Sequence, residues 1–228
     1  MSRTDAASII SRAVKKARST PQYRSRFRLL RGANVRVFPK QMRQTLNYVT
    51  TFQFALPTVA GGCSTYQFRA NSLYDPEVAI GGHQPYGYDQ LSAMYQKLVV
   101  ISSSCHVVAN IGTLATYSGQ FGVNISDTTT PATARDTLME SQYAVWKNYI
   151  STNGPVSVKN NFDAAKYFDV KDLTDSDDLI TAVGSNATRQ AYFNVWACGD
   201  TVVGNTITLT VAIAYDVLFF EPAEVATS

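Results

Sequence analysis

Between Leu46 and Phe219 the chain alternates apolar and polar positions with a period of two. In 46–56, Leu46, Tyr48, Phe52, Phe54 and Leu56 share one face, with Asn47, Thr51 and Gln53 on the other. In 117–125, Tyr117, Phe121, Val123 and Ile125 alternate with Ser118, Gln120 and Asn124. The longest run is 205–220, where Ile207, Leu209, Val211, Ile213, Tyr215, Val217 and Phe219 oppose Thr206, Thr208, Thr210 and Asp216. A period of two places successive side chains on opposite faces of a strand. Shorter runs at 64–70, 97–110, 155–160 and 189–198 bring the expectation to about seven or eight strands, parted by connections such as Gly61-Gly62 and Gly81-Gly82.

One stretch changes period. Met139, Tyr143, Trp146 and Ile150 recur at i, i+4, i+7 and i+11, with Asp136 and Glu140 near the start and Lys147 near the end. That spacing and charge order predict a helix over 135–150. A second short helix is expected from Asp175, with Asp177 and Asp178 in its first turn. Antiparallel strands with long connections and one or two short inserted helices predict an all-β sandwich. A single eight-stranded antiparallel jelly roll fits best.

Charge divides the chain in two. Residues 1–43 hold twelve basic side chains (Arg3, Arg12, Lys15, Lys16, Arg18, Arg24, Arg26, Arg28, Arg31, Arg36, Lys40 and Arg43) and one acid, Asp5, a sum of +11. Residues 44–228 hold eight basic and sixteen acidic groups, a sum of −8. This predicts a basic arm over 1–43 that binds a polyanion, ahead of an acidic folded body over 44–228. Ile9, Ile10, Ala13, Val14 and Ala17 have helical spacing, and Pro21 closes any such helix. Beyond it, Arg24, Arg26 and Arg28 alternate with Tyr23, Ser25, Phe27 and Leu29, an extended pattern with guanidiniums on one face.

Arginine grips phosphate through its planar fork, and interleaved aromatics stack on unpaired bases. No base-reading module accompanies them, so binding to single-stranded nucleic acid is expected to be non-specific and salt-dependent. A nuclear import signal read by host import factors is a second duty of the same residues. The apolar face of the basic helix is thin for a membrane anchor, and no membrane insertion is expected.

Catalytic chemistry is hard to build from what remains. There are two histidines, and neither sits in a zinc or triad arrangement. Cys105 and His106 are adjacent, so a strand points them to opposite faces. No glycine pattern has the context of a phosphate-binding loop. Neither an enzyme nor a cofactor is therefore expected. The acidic residues Asp172, Asp175, Asp177 and Asp178 are a weak calcium candidate, since hard cations need several oxygens. Cys63, Cys105 and Cys198 are odd in number and widely spaced, and read as free thiols of a reducing compartment. The sequons at Asn124 and Asn186 read as chance, because no apolar leader precedes them.

A sequence signature lies between 68 and 95. The run Phe68-Arg69-Ala70-Asn71-Ser72-Leu73-Tyr74-Asp75-Pro76-Glu77 is followed by Gly82-His83-Gln84-Pro85-Tyr86-Gly87-Tyr88-Asp89-Gln90 and then Tyr95. It resembles the coat proteins of circovirus-like, circular single-stranded DNA viruses. Val211 to Pro222, with Tyr215 and Phe219-Phe220-Glu221-Pro222, resembles their closing strand, and Phe162 to Phe168 with Lys166 is a weaker match. Glu77 stands where those proteins usually have Asp, Ala79-Ile80 replace a more polar pair, and Ser104 and His106 stand where many have Lys.

The resemblance implies a jelly roll in a T=1 icosahedral shell of sixty copies, with the arm against single-stranded DNA. It also implies assembly in the host nucleus, a place in the virion, and a cell-surface receptor of unknown identity. Tyr74, His83, Tyr86 and Tyr88 are the subunit-interface candidates, because tyrosines give large contact area at little entropy cost. Two alternatives stand beside this reading: the coat protein of a small positive-strand RNA virus, and a jelly-roll module of the cell surface that binds carbohydrate.

Overall fold

The computed structural model describes residues 38–79, 82–110, 118–200 and 206–224. Nine strands run β1 Gln41–Ala55, β2 Cys63–Arg69, β3 Tyr95–Asn110, β4 Ser118–Ser126, β5 Val145–Ile150, β6 Val156–Asp163, β7 Thr181–Ala182, β8 Tyr192–Gly199 and β9 Thr206–Pro222. The short helices α1 (Tyr88–Ser92), α2 (Arg135–Glu140) and α3 (Ala164–Phe168) lie in the connections.

One sheet has the order β1-β9-β3-β6, with the two-residue β7 added against the start of β3, and the other has the order β2-β8-β4-β5. Every pairing is antiparallel, and the pairs nest: β1 with β9, β2 with β8, β3 with β6, and β4 with β5. First pairs with last, second with second-last, and so inward, which is a long hairpin rolled into two sheets. That is the jelly roll the alternation predicted.

Strand β9 shows why these residues make this fold. Its burial alternates along nearly its whole length, with Ile207, Leu209, Val211, Ile213, Tyr215, Val217 and Phe219 at 0–2% exposure. Partner β1 runs in unbroken register from Gln41↔Phe220 to Ala55↔Thr206 and turns Leu46, Tyr48 and Phe54 to the same side. A one-residue slip would put each of these rings into water, so burial itself fixes the register. The second sheet faces them with Phe68, Phe121, Val123, Ile125, Phe193 and Val195, all in the same core. Each side chain of this size contributes about 1.5–3 kcal/mol when fully buried.

A smaller cluster lies on the other face of the second sheet. Leu138 of α2 covers Trp196, Cys63 and Cys198 there. The Trp196 ring lies so close across β4 that a Cβ on Gly122 would stand 2.4 Å from it, so only glycine fits at that position.

Three expectations need correction. The helix over 135–150 is in fact α2, only six residues long, followed by the edge strand β5. No helix begins at Asp175: that residue ends a single 3-10 turn, Leu173–Asp175, whose cap is Asp172 accepting from the Thr174 N–H, and a turn follows. Cys63 and Cys198 are not free thiols. They are register partners across β2 and β8, with Cα atoms 4.2 Å apart, and are joined as a disulfide. Cys105 alone is free, fully buried on the core side of β3, while His106 beside it faces out.

Candidate functional site

The connection from β2 to β3 carries the 68–95 signature, and it is held at the junction of the two sheets. Its first two carbonyls are pinned from β9 and β3, since the Tyr215 hydroxyl donates to Arg69 O (2.7 Å) and Ser103 Oγ to Ala70 O (2.6 Å). Asn71 is buried and reaches across the chain, donating to Arg189 O (2.8 Å) and accepting from the Ala191 N–H (2.9 Å). Ser72 Oγ, also buried, bonds Asn186 Oδ1 at 2.5 Å. The Asn-Ser pair therefore staples two connections together instead of capping its own turn. The same bond occupies the Asn186 sequon, and Asn124 is buried within β4.

Arg69 organises the next turn. Its guanidinium donates to Asp75 O (2.6 Å), Asp75 Oδ2 (3.0 Å), Glu77 O (2.7 Å) and Gln190 Oε1 (3.0 Å). Only a planar fork with several N–H groups satisfies so many acceptors at once. Glu77 then ties the loop to the sandwich. Its carboxylate accepts from the hydroxyl of Tyr66 at 2.7 Å and from that of Tyr48. His83 stacks on the Tyr48 ring with centroids 4.6 Å apart.

Burial pushes the hydroxyls of Tyr48 and Tyr66 well above the ordinary tyrosine value of 10.0, and the Glu77 carboxylate adds to it. Burial likewise raises Tyr215 well above that value and Tyr167 to about 12. A raised folded-state value means the folded chain holds these protons more tightly than the unfolded chain does. The stability they supply is complete below pH 10 and is lost as pH rises from there through the folded values. Unfolding free energy is expected to hold steady towards pH 10 and then fall. A group of the 13 tyrosines should ionise only as the chain unfolds. Phenolate absorbance followed beside circular dichroism checks this; full tyrosine ionisation with the fold intact would contradict it.

The four interface candidates separate. Tyr86 is 93% exposed and Tyr74 is 42% exposed. His83 is exposed over Tyr48. Tyr88 is 2% exposed, and its hydroxyl accepts from the Gly184 N–H at 3.0 Å. It opens α1 directly after Gly87, whose φ of 88° is left-handed, and that turn drives the ring inward. Tyr88 is therefore a core residue and leaves the interface set.

Ten of the twelve basic residues, Arg3 to Arg36, lie outside the described residues. Lys40 is exposed just ahead of β1. Arg43 is the third residue of β1, and its guanidinium grips both oxygens of Asp216 on β9. That pairing occupies the fork, so Arg43 belongs to the sandwich more than to the arm.

Nearby, a groove of about 590 Å3 is lined by Thr45, Ser102, Ser104, Asn161, Asp163 and Lys166 together with Tyr143, Phe162 and Tyr167. Its carboxylates are engaged, Asp216 by Arg43 and Asp163 by the Lys166 N–H. It presents hydroxyls, an amide and one lysine beside the apolar surface of Ile125, Tyr143, Phe162 and Tyr167.

The acidic cluster does not converge on a point. Among the described residues, no three His, Cys, Asp or Glu side chains gather as metal ligands. Asp172 spends one oxygen on Thr174, whose hydroxyl and N–H hold the carboxyl below its ordinary range. Asp172, Asp175, Asp177 and Asp178 thus serve as loop and cap residues, which corrects the calcium candidate. Among the described residues, no helix is long and apolar enough to cross a membrane.

No family model matches the chain, and no curated protein matches it in sequence. Among solved structures, it is similar to the BFDV capsid protein in its 60-mer form, at 15% identity, with 83% of this chain and 100% of that one covered and a TM-score of 0.45. It is similar to a T=1 subviral particle of a Penaeus vannamei nodavirus capsid protein deletion mutant, at 10% identity, with 80% and 98% covered and a TM-score of 0.49. Cocksfoot mottle virus gives 8% identity, 80% and 96% covered, and a TM-score of 0.49.

Proposed function

We propose that this chain is a coat protein that assembles with copies of itself into a small icosahedral shell and packages single-stranded DNA through its basic N-terminal stretch. One observation carries the reading: a stretch of charge +11 runs into the first strand of an acidic jelly roll. A polyanion-binding arm on a two-sheet wall suits a protein that must enclose nucleic acid and touch its own copies. The site supports this in chemical terms. The 68–95 loop is stapled in place by buried side chains and leaves Tyr74, His83 and Tyr86 outward, a rigid display of aromatic surface suited to subunit contacts.

DNA is preferred over RNA because the 68–95 pattern resembles that of the single-stranded DNA viruses. Sixty subunits, a virion location, passage through the nucleus with import factors, and a cell-surface receptor belong to the same proposal. A carbohydrate-binding module would have little use for the arm.

Expression of the full chain, electron microscopy and nuclease digestion test the proposal. Regular particles that protect DNA are expected. A monomer or trimer by gel filtration would end the shell reading, and particles that protect RNA alone would end the DNA reading.

A further inference from the structure

The Cys63–Cys198 bridge stands where three connections meet. Cys63 is the first residue of the edge strand β2, and its N–H donates to Thr133 O at 3.1 Å. Gly62 pairs with Ala134, and the Gly61 N–H donates to Gly199 O at 3.1 Å. Arg135, the first residue of α2, donates to the same Gly199 carbonyl at 2.8 Å and pairs with Asp200 at 2.8 Å. The bridge is thus the one covalent member of a knot joining 56–62, 132–140 and the end of β8. It closes a span of 135 residues, from the second strand of the roll to the last but one.

Two features favour opening of this bond without global unfolding. Its lid is thin, consisting of the six-residue α2 with Leu138 and a partly buried Met139. Cys63 also sits at a strand end on a sheet edge, where backbone pairing frays first. The third cysteine does not compete, because Cys105 is fully enclosed in the main core on the other sheet.

We propose that Cys63 and Cys198 form a redox fastener that opens and closes in the folded chain by thiol–disulfide exchange with small disulfides of the glutathione class. On closing, the two thiols lose two protons and pass two electrons to oxidised glutathione, which departs as two molecules of the thiol. On opening, two reduced thiols attack in turn and leave as the small disulfide. A reducing cell interior favours the open dithiol, and oxidising surroundings favour the bridge. Closing fixes segments 56–62 and 127–140 to β8. The fastener is a property of the single chain and stands whether or not shells form.

The test uses the full chain equilibrated in glutathione buffers of stepped potential, then quenched, denatured and alkylated for mass measurement. One alkylated cysteine is expected at the oxidising end and three at the reducing end. Hydrogen exchange of the native chain should rise at least tenfold in 56–62 and 127–140 on reduction, with 95–110 and 206–222 unchanged. The Cys63→Ser/Cys198→Ser variant should match the reduced chain. Three alkylated cysteines at every potential would overturn the proposal, as would exchange in the two segments that ignores reduction or reduction that unfolds the whole chain.

Discussion

Removing residues 1–37 is expected to leave a folded sandwich that has lost its hold on nucleic acid. The cut takes ten of the twelve basic groups and keeps Phe38, which packs on the core, and the whole of β1. Of the two arm cations that remain, Arg43 is already committed to Asp216, which leaves Lys40 on a body whose eight basic groups are outnumbered by sixteen acids. If about six to eight groups of the full chain meet phosphates of a single strand, its log–log salt slope lies near −4 to −6. The truncated chain should show a slope of about −1 or weaker, and affinity near 0.1 M salt should fall by roughly a hundredfold or more. Its melting temperature should stay within a few degrees, since none of the buried core residues from Leu46 onward is touched. Filter binding across a salt series, beside calorimetry, reads both quantities. A truncated chain that packaged DNA as well as the full one would remove the arm from the mechanism.

The strands were legible because a half-buried strand writes its burial into the sequence at period two, and β9 does so with hardly an exception. The error over 135–150 has an equally physical origin. Residues four apart share a face in a helix and also in a strand, so Trp146 and Ile150 fit either reading. Trp146, Asn148 and Ile150 alternate on β5, while α2 ends at Glu140 with Leu138 as its one buried residue. The disulfide was illegible for a different reason. Which cysteine faces which depends on the nested pairing of β2 with β8, a contact 135 residues apart that no local pattern encodes. The signature loop lies between these cases. Its residues could be picked out, but Tyr88 could not be told from Tyr86, because the left-handed Gly87 between them decides which ring turns inward.

Replacing Arg69 with Ala is expected to be strongly destabilising although the residue is not part of the apolar core. The side chain is only 13% exposed and satisfies two backbone carbonyls, the Gln190 amide oxygen and the Asp75 carboxylate. Truncation strands acceptors that the fold has taken out of water, and breaking such a part-buried charged network costs roughly 3–5 kcal/mol. For a chain of this size that corresponds to a melting temperature lower by roughly 6–20 °C. Arg69→Lys should recover only part of the loss, because an ammonium placed near Nη1 can meet the Asp75 and Glu77 acceptors but leaves Gln190 Oε1, held by Nε, unpaired. A melting temperature within about 3 °C of the parent for the Ala variant would show that the turn holds itself. The same variant separates folding from assembly. The core tyrosines and β9 do not depend on Asp75 or Glu77 for their register, whereas the outward placement of Tyr74 and His83 does. At temperatures where the variant is still folded, it should therefore remain a small species on gel filtration while the parent forms particles. If the variant instead assembled as the parent does, the loop would be structural only and the subunit contact would have to lie elsewhere on the sandwich.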